Sequence, residues 1–162
     1  MKYFYDTEFL EDGHTIDLIS IGIVAEDGRE YYAVSLDTDW HRVAEHEWLA
    51  VNVLPSLPRM FEGLEWKTRD QISFEVRQFI TGDRRDNELW AYYSAYDHVA
   101  LCQLFGRMID LPPSVPMFSH DIKAEADRLQ AYPLPVQDTG HHNALEDARW
   151  NKRAHEHLFP RV

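Results

Sequence analysis

The chain has 162 residues, which suits one domain with a hydrophobic core and is too short for two domains of ordinary size. Its net charge of −12 argues against a broad basic nucleic-acid-binding face but leaves room for a protein that reaches phosphate through bound metal ions. A single cysteine excludes an internal disulfide, and neither a signal peptide nor a membrane-spanning apolar run is apparent. We therefore expect a single cytoplasmic domain, residues 1–162, that does not contact a membrane.

Three strands are predicted in the first 36 residues. Residues 1–9 contain aromatic strand formers, residues 16–25 are rich in Ile and Val, and residues 31–36 form a third apolar run. The connections between them are short, and the second contains the Asp27-Gly28 pair that favours tight hairpins. The three strands should therefore form an antiparallel meander.

The remainder of the chain is predicted to contain helices and two further strands. The predicted helices cover residues 40–54, 68–80, 94–108, 120–129 and 142–158. The predicted strands cover residues 89–93 and 115–119, and residues 61–67 are expected to form an irregular connector. The helix at residue 68 begins with a capping-box pattern, Thr68 followed by Gln71. A meander followed by βα units predicts a mixed sheet covered by helices.

Two carboxylates follow the aromatic residues of the first strand. Asp6 and Glu8 are separated only by Thr7, so their side chains should project from the same face of the strand, in line with Phe4. Like charges held this close disfavour ionisation unless a cation lies between them. The pair therefore indicates either part of a metal site or a frayed strand end with two solvated acids, and further acids elsewhere would favour the metal site.

Two later carboxylates are candidates for the same site. Asp97 follows a predicted strand, although Ser94-x-x-Asp97 is also a helix-capping pattern and makes capping a competing interpretation. Asp147 lies in the last predicted helix, where no basic residue stands three or four positions away to pair with it. Small residues around Asp147 indicate a packed face, on which a carboxylate requires a cation. His142 precedes this acid at the junction of a loop and the helix.

The Asp6-x-Glu8 pair, Asp97 and the His142-x4-Asp147 spacing resemble the three exonuclease motifs of the DEDDh 3′→5′ exonucleases. This superfamily includes ribonuclease T, oligoribonuclease and polymerase proofreading domains. The opening YDTEF, followed by EDGHTIDLISIG, looks closer to a compact bacterial exoribonuclease branch. The resemblance covers nearly the whole chain and implies a ribonuclease H-like fold. In that α/β fold a five-stranded mixed sheet of order 3-2-1-4-5 carries helices on both faces.

The resemblance also implies two-metal-ion hydrolysis of phosphodiesters. Two Mg²⁺ ions, replaceable by Mn²⁺, would be bridged by Asp6, and the remaining ligands would be Glu8, Asp97 and Asp147. His142 would take the proton from the attacking water as general base. The implied activity is removal of nucleoside 5′-monophosphates from the 3′ ends of single-stranded RNA. Relatives such as ribonuclease T act as homodimers, so a homodimer is one expectation for the oligomeric state.

The 3′-terminal nucleotide is expected to lie across Thr7, Glu8 and Phe9, with its terminal hydroxyl near Glu8. Its base should stack on an aromatic ring, for which Phe9 and Trp66 are candidates. For Trp66, packing of the connector onto the following helix is an equal alternative. Two rival functions remain, a DNA 3′→5′ exonuclease with the same catalytic residues and a non-catalytic, metal-stabilised nucleic-acid-binding module. The absence of an appended polymerase domain favours RNA.

Overall fold

The computed structural model describes residues 1–60 and 62–160, and a six-stranded mixed sheet forms its centre. The strands are β1 (Lys2–Glu11), β2 (Ile16–Ala25), β3 (Glu30–Ser35), β4 (Trp66–Lys67), β5 (Glu88–Ala91) and β6 (His120–Asp121). Their order across the sheet is β4-β3-β2-β1-β5-β6. Because β1 pairs antiparallel with β2 and parallel with β5, the strand that carries the first two acids is an interior strand.

Five strands confirm the expected order, since β3, β2, β1, β5 and β6 are neighbours in that sequence. The extra strand, β4, lies in the predicted connector, of which Phe61 falls outside the described residues. It forms because the N–H groups of Val34 and Leu36, at the outer edge of the meander, donate to residues of this segment at 2.8 Å. The last strand follows residues 115–119 instead of coinciding with them, because Pro116 has no N–H to donate to a ladder.

The helices in the described part of the chain are α1 (Trp40–Glu45), α2 (Glu47–Asn52), α3 (Arg69–Phe79), α4 (Ala95–Gln103), α5 (Ile122–Leu129) and α6 (Ala144–Leu158). The single helix predicted over residues 40–54 is divided because His46 has an extended backbone and caps α2 with its side chain. The capping box of Thr68 and Gln71 at the start of α3 is confirmed. None of these helices is long and apolar enough to span a lipid bilayer.

Helices cover both faces of the sheet, and the alternation of side chains along β1 explains which residue meets which layer. Tyr3 and Tyr5 are fully buried on one face, in a cluster with side chains of α3 and α4. Phe4 is buried on the opposite face, in a cluster with side chains of α5 and α6. Asp6 and Glu8 continue the Phe4 face towards the end of the strand, so they point to the layer that contains α6.

Gly22 in β2 allows α6 to begin directly against the sheet. It is the cross-strand partner of Asp6, and a Cβ at this position would lie 2.3 Å from the carbonyl oxygen of Ala144 and 2.4 Å from Cα of Leu145. Both atoms belong to the backbone of the first turn of α6, so a side chain here would force the helix away from the sheet. The close approach places the first turn of α6, and hence Asp147, over Asp6.

We expect Gly22→Ala to lower the free energy of unfolding by about 3 kcal/mol, because overpacking against helix backbone cannot be relieved by a rotamer change. Urea denaturation measures the loss. Gly28→Ala is the matched control: a Cβ there meets nothing within 4 Å, so only its positive φ of 93° opposes the substitution. Equal losses in the two variants would contradict the close-packing role of Gly22.

Candidate active site

Three carboxylates converge where β1 passes under the first turn of α6. One oxygen from each of Asp6, Glu8 and Asp147 lies within 4.8 Å of the other two. Glu8 is only 8% exposed, and the other two acids are half-buried. Among the described residues, no Lys or Arg forms an ion pair with any of the three. The structure thus brings together three of the four acids that the sequence analysis singled out.

A buried side chain one turn beyond Asp147 fixes α6 on β1. The amide of Asn151, which is 1% exposed, donates to the carbonyl oxygen of Tyr5 at 2.8 Å. Tyr5 directly precedes Asp6, so this hydrogen bond sets the position of α6 beside the acid on the strand.

Asp97, in the first turn of α4, joins the cluster through a hydrogen-bonded link to β1. Its Oδ1 accepts from the backbone N–H of Thr7 at 2.8 Å and from the Thr7 hydroxyl at 2.7 Å. The capping alternative is not what the structure shows. The N–H of Ser94 donates to Asp121 at 2.8 Å, and the Ser94 side chain makes no capping hydrogen bond. Thr7 was expected to contact the substrate, but it is 5% exposed and its hydroxyl is hydrogen-bonded to Asp97.

The pKa values of the four acids all lie above their ordinary range, mainly because the carboxylates are buried. Burial, reinforced by repulsion from Asp147 and Asp97, raises the pKa of Glu8 to about 8. Burial also raises the pKa of Asp97 to about 6, although its hydrogen bonds to β1 act in the opposite direction. The pKa values of Asp6 and Asp147 are raised as well, in both cases mainly by burial. Closely spaced oxygen donors that repel each other in this way fit a hard divalent cation.

His142 lies in the loop before α6, whereas the sequence had predicted that the helix begins at this residue. The helix begins one residue after Asn143, whose side-chain oxygen accepts from the N–H groups of Leu145 and Glu146 at 3.2 Å each. The backbone of His142 is left-handed, with φ of 61°. A bulky residue in this region is strained and persists only where neighbouring groups hold it.

Groups from α2 and the turn after it hold His142 in that conformation. The Ser56 hydroxyl donates to the carbonyl oxygen of His142, and the Asn143 side chain donates back to the Ser56 carbonyl at 3.0 Å. The ring of Trp48 meets the imidazole edge to face, with 4.8 Å between the centroids. The imidazole is therefore fixed from a part of the chain almost ninety residues away.

A cleft runs past the acids and has two lobes, both bordered by Asp6, Tyr92, His142 and Asp147. The aromatic lobe, of about 410 Å³, is lined further by Thr7, Glu8, Phe9, Trp48, Tyr93, Tyr96 and Asp97. The loop lobe, of about 440 Å³, is lined further by Pro135, Gln137, His141, Trp150 and Asn151. The acids thus lie between two cavities, one walled by aromatic rings and the other by the loop before α6.

The two aromatic residues expected to stack on a base occupy different places. Phe9 lines the aromatic lobe and meets Tyr96 edge to face, with 5.9 Å between the centroids. Trp66 borders neither lobe: its indole N–H donates to the Pro58 carbonyl at 3.2 Å, and its ring packs on Trp40 at 5.1 Å. The packing alternative describes Trp66 better, although the contact is with α1 and not with α3.

Sequence reasoning missed four rings of the aromatic lobe, which belong to Trp48, Tyr92, Tyr93 and Tyr96. Trp48 is 49% exposed on α2, where the apolar spacing did not follow a helical period. That irregularity was the available signal, because an aromatic residue outside the apolar stripe has no core to enter. Tyr93 has a left-handed φ of 58° at the end of β5, a strained conformation for which the sequence carries no local sign.

Comparison with known proteins agrees with this geometry. The model of the 3′-5′ exoribonuclease Rv2179c-like domain matches residues 1–159. Two Mycobacterium tuberculosis proteins, the 3′-5′ exoribonucleases Rv2179c (strain ATCC 25618 / H37Rv) and MT2234.1 (strain CDC 1551 / Oshkosh), are each 51% identical over 150 residues. The matches cover 92% of this chain and 88% of each relative.

A solved structure shares the fold. S. pombe Pop2p, in its Mg²⁺- and Mn²⁺-bound form, matches with a TM-score of 0.59 at 14% identity, over 99% of this chain and 83% of that chain. This similarity confirms the ribonuclease H-like architecture. By the family match and the 51% identity, the chain belongs to the family of the 3′-5′ exoribonuclease Rv2179c-like domain, which confirms the prediction of a 3′→5′ exonuclease.

Proposed function

We propose that this protein is a metal-dependent exoribonuclease that shortens single-stranded RNA from its 3′ end and releases nucleoside 5′-monophosphates. The observation that carries the proposal is the convergence of Asp6, Glu8 and Asp147 within 4.8 Å, beside Asp97 and His142 in one cleft. The 3′-5′ exoribonuclease names of the relatives support RNA as the substrate. We also propose that residues 1–162 act as one exonuclease domain. The homodimer and the cytoplasmic location stay predictions.

The acids suit Mg²⁺, with Mn²⁺ as a substitute, because the donor set consists of carboxylate oxygens alone. Asp6, Glu8, Asp97 and Asp147 would together hold two ions. The Mg²⁺ and Mn²⁺ in the structure of Pop2p support this choice of metals. When bound, such ions activate water and stabilise the charge that develops on the oxygens of the scissile phosphodiester.

His142 is the proposed general base. It borders both lobes together with Asp6 and Asp147, so a water molecule bound at these acids would lie in the same cleft as the imidazole. A neutral imidazole offers one unprotonated nitrogen, which accepts the proton as the phosphodiester is attacked. Because Ser56 and Trp48 hold the residue, the ring needs little rearrangement before it acts.

The aromatic lobe is the proposed site of the 3′-terminal nucleotide. Glu8 belongs to the acid cluster and borders the aromatic lobe next to Phe9. Its carboxylate would therefore also accept a hydrogen bond from the terminal 3′-hydroxyl. The base would stack among Phe9, Trp48 and Tyr96, which are sequence-tolerant partners because every base has a π face. Thr7 would contribute the shape of the lobe, since its hydroxyl is already bonded to Asp97.

Trp48 and Trp66 provide a matched pair for testing this assignment. We expect Trp48→Ala to raise KM for short RNA oligomers by the equivalent of roughly 1–3 kcal/mol, because a stacking partner is lost. Trp66→Ala should leave KM unchanged and lower Tm, because its ring packs on Trp40. Tyr96→Ala, which removes a ring whose contact is with Phe9, separates base stacking from support of His142. A raised KM in Trp66→Ala alone would contradict the assignment.

The function itself is tested with RNA and DNA oligomers labelled at either end and incubated with Mg²⁺. We expect RNA labelled at the 3′ end to lose its label as a 5′-monophosphate at once, and RNA labelled at the 5′ end to shorten stepwise. Equal degradation of DNA would instead favour the DNA exonuclease, and binding without release would favour the non-catalytic module. Asp6→Asn and excess EDTA should each abolish the activity, and circular RNA should remain intact.

A further inference from the structure

The loop before α6 reaches back to the acid cluster through Gln137. The Nε2 of Gln137 donates to Oδ1 of Asp147 at 2.7 Å. Among the described residues, Gln137 provides the side-chain hydrogen bond to Asp147, and the backbone N–H of His142 also lowers the pKa of this carboxylate. Gln137 lies in the proline-containing segment 130–140, which has no helix or strand of its own to fix the side chain.

Two hydrogen bonds to the backbone of this segment, one at Gln137 and one at Pro135, restrain it in the absence of a helix or strand. The Nε2 of His141 lies 2.8 Å from the carbonyl oxygen of Gln137. The indole N–H of Trp150, from the turn of α6 that follows Asp147, donates to the carbonyl oxygen of Pro135 at 2.8 Å. The loop is therefore closed on itself between Gln137 and His141, and Trp150 ties it to the second turn of the helix that carries Asp147.

The chemistry of this contact suits a carboxylate that must also bind a cation. An amide is a neutral donor that occupies one oxygen and leaves the other available, whereas Lys or Arg would neutralise the acid and compete with the cation. Asp97 shows the same arrangement, since the backbone N–H and the hydroxyl of Thr7, both neutral donors, reach its Oδ1. Each acid on a helix thus has one oxygen fixed by a neutral group.

The acids of the strand have a different support. Across the described residues, neither Asp6 nor Glu8 accepts a side-chain hydrogen bond at its carboxylate. Their position is set by β1 itself, which is paired on both sides over its first residues and with β2 along nearly its whole length. A helix terminus beside a loop offers less restraint, so Asp147 needs an external partner more than the two acids of the strand.

We propose that Gln137 is a positioning residue for metal binding, which holds the Asp147 carboxylate within reach of Asp6 and Glu8. The proposal rests on the proposed function in one respect, namely that Asp147 is a metal ligand. Partners of this kind orient a ligand before the ion arrives, and their removal typically lowers metal affinity 10–100-fold.

Mn²⁺ binding to the full-length protein, followed by electron paramagnetic resonance without RNA, tests the proposal. Gln137→Met keeps the size of the side chain and removes the donor, and we expect it to weaken Mn²⁺ binding about 10–100-fold. The kcat at saturating metal should return to within a few-fold of wild type, because all four acids remain. Gln103→Ala, on the exposed side of α4, is the control and should bind Mn²⁺ as wild type does.

The variants also separate the two proposals. If Asp147→Asn abolishes Mn²⁺ binding and Gln137→Met binds like wild type, the positioning role is overturned and the metal site stands. If Asp147→Asn itself binds like wild type, the proposed metal site fails and the role of Gln137 fails with it. Loss of Mn²⁺ affinity in Gln137→Met with an unchanged urea unfolding curve supports positioning and not a general effect on folding.

Discussion

Without divalent metal, the protein should become less stable as the pH rises from 6.5 to 8, by ~2–3 kcal/mol. Burial raises the pKa of Glu8 to about 8 and that of Asp6 well above its ordinary value, whereas in the unfolded chain both acids titrate near pH 4. Between about pH 4 and the raised pKa values, these two acids hold more protons in the folded chain than in the unfolded chain. The stability from this difference is fully present at low pH and is lost as the pH rises through the folded-state pKa values.

His155 acts in the opposite direction and sets the lower limit of this window. Burial lowers the pKa of His155 to about 4, so between about pH 4 and pH 6.5 this one side chain is protonated in the unfolded chain and neutral in the folded chain. This histidine therefore adds stability as the pH rises towards 6.5 and contributes little further change above it. The decline caused by the acids should be clearest from pH 6.5 upward.

Urea denaturation in EDTA and in excess Mg²⁺, at pH 6.5 and at pH 8, measures the effect. Mg²⁺ should restore stability most at pH 8, because at lower pH protons already relieve the repulsion between the acids. Glu8→Gln removes one titrating group, so its metal-free stability should fall less over the same interval and should exceed that of wild type at pH 8. Metal-free stability that rises with pH above 6.5 would contradict the electrostatic account of the site.

The acids of β1 could be predicted from the sequence because their relationship is local. A period of two places Asp6 and Glu8 on one face regardless of what the strand packs against. The start of α6 was also available in principle, since Asn143 is a favoured N-cap residue, yet the helix was expected to begin at His142, two residues before its first residue Ala144. Local rules thus gave the acids and came within two residues of the helix that carries Asp147.

The walls of the cleft could not be predicted because they depend on contacts between distant segments. Trp48 and Trp66 cannot be distinguished by their local sequence, since Trp48 lies within a helical segment of irregular apolar spacing and Trp66 lies near the end of the predicted connector. What distinguishes them is the contact that each ring makes in the fold. The extended backbone at His46 separates α2 from α1, so that Trp48 of α2 contacts His142 whereas Trp40 of α1 packs on Trp66. The link between Thr7 and Asp97 spans ninety residues, and no periodicity within either segment indicates it.

Removal of the imidazole of His142 should lower kcat by 10²–10⁴-fold at saturating Mg²⁺, the range expected for loss of a general base. Mn²⁺ affinity should stay close to that of wild type, because the carboxylates of the four acids are unchanged. The comparison of kcat with metal affinity in His142→Ala therefore separates proton transfer from metal binding. A fall in affinity as large as the fall in kcat would show that His142 acts through the metal site and not as a base.

His141→Ala is the matched control, since this neighbour also borders the loop lobe but contacts the carbonyl oxygen of Gln137. Its loss should affect metal affinity modestly, through the loop, and should leave kcat at saturating Mg²⁺ nearly unchanged. The pH profile adds a second criterion: a general base acts only in its unprotonated form, so wild type and His141→Ala should share a rising limb that His142→Ala lacks. Should His141→Ala prove the more damaging change in kcat, the general base is the neighbouring histidine, and the spacing of the third motif is displaced by one residue.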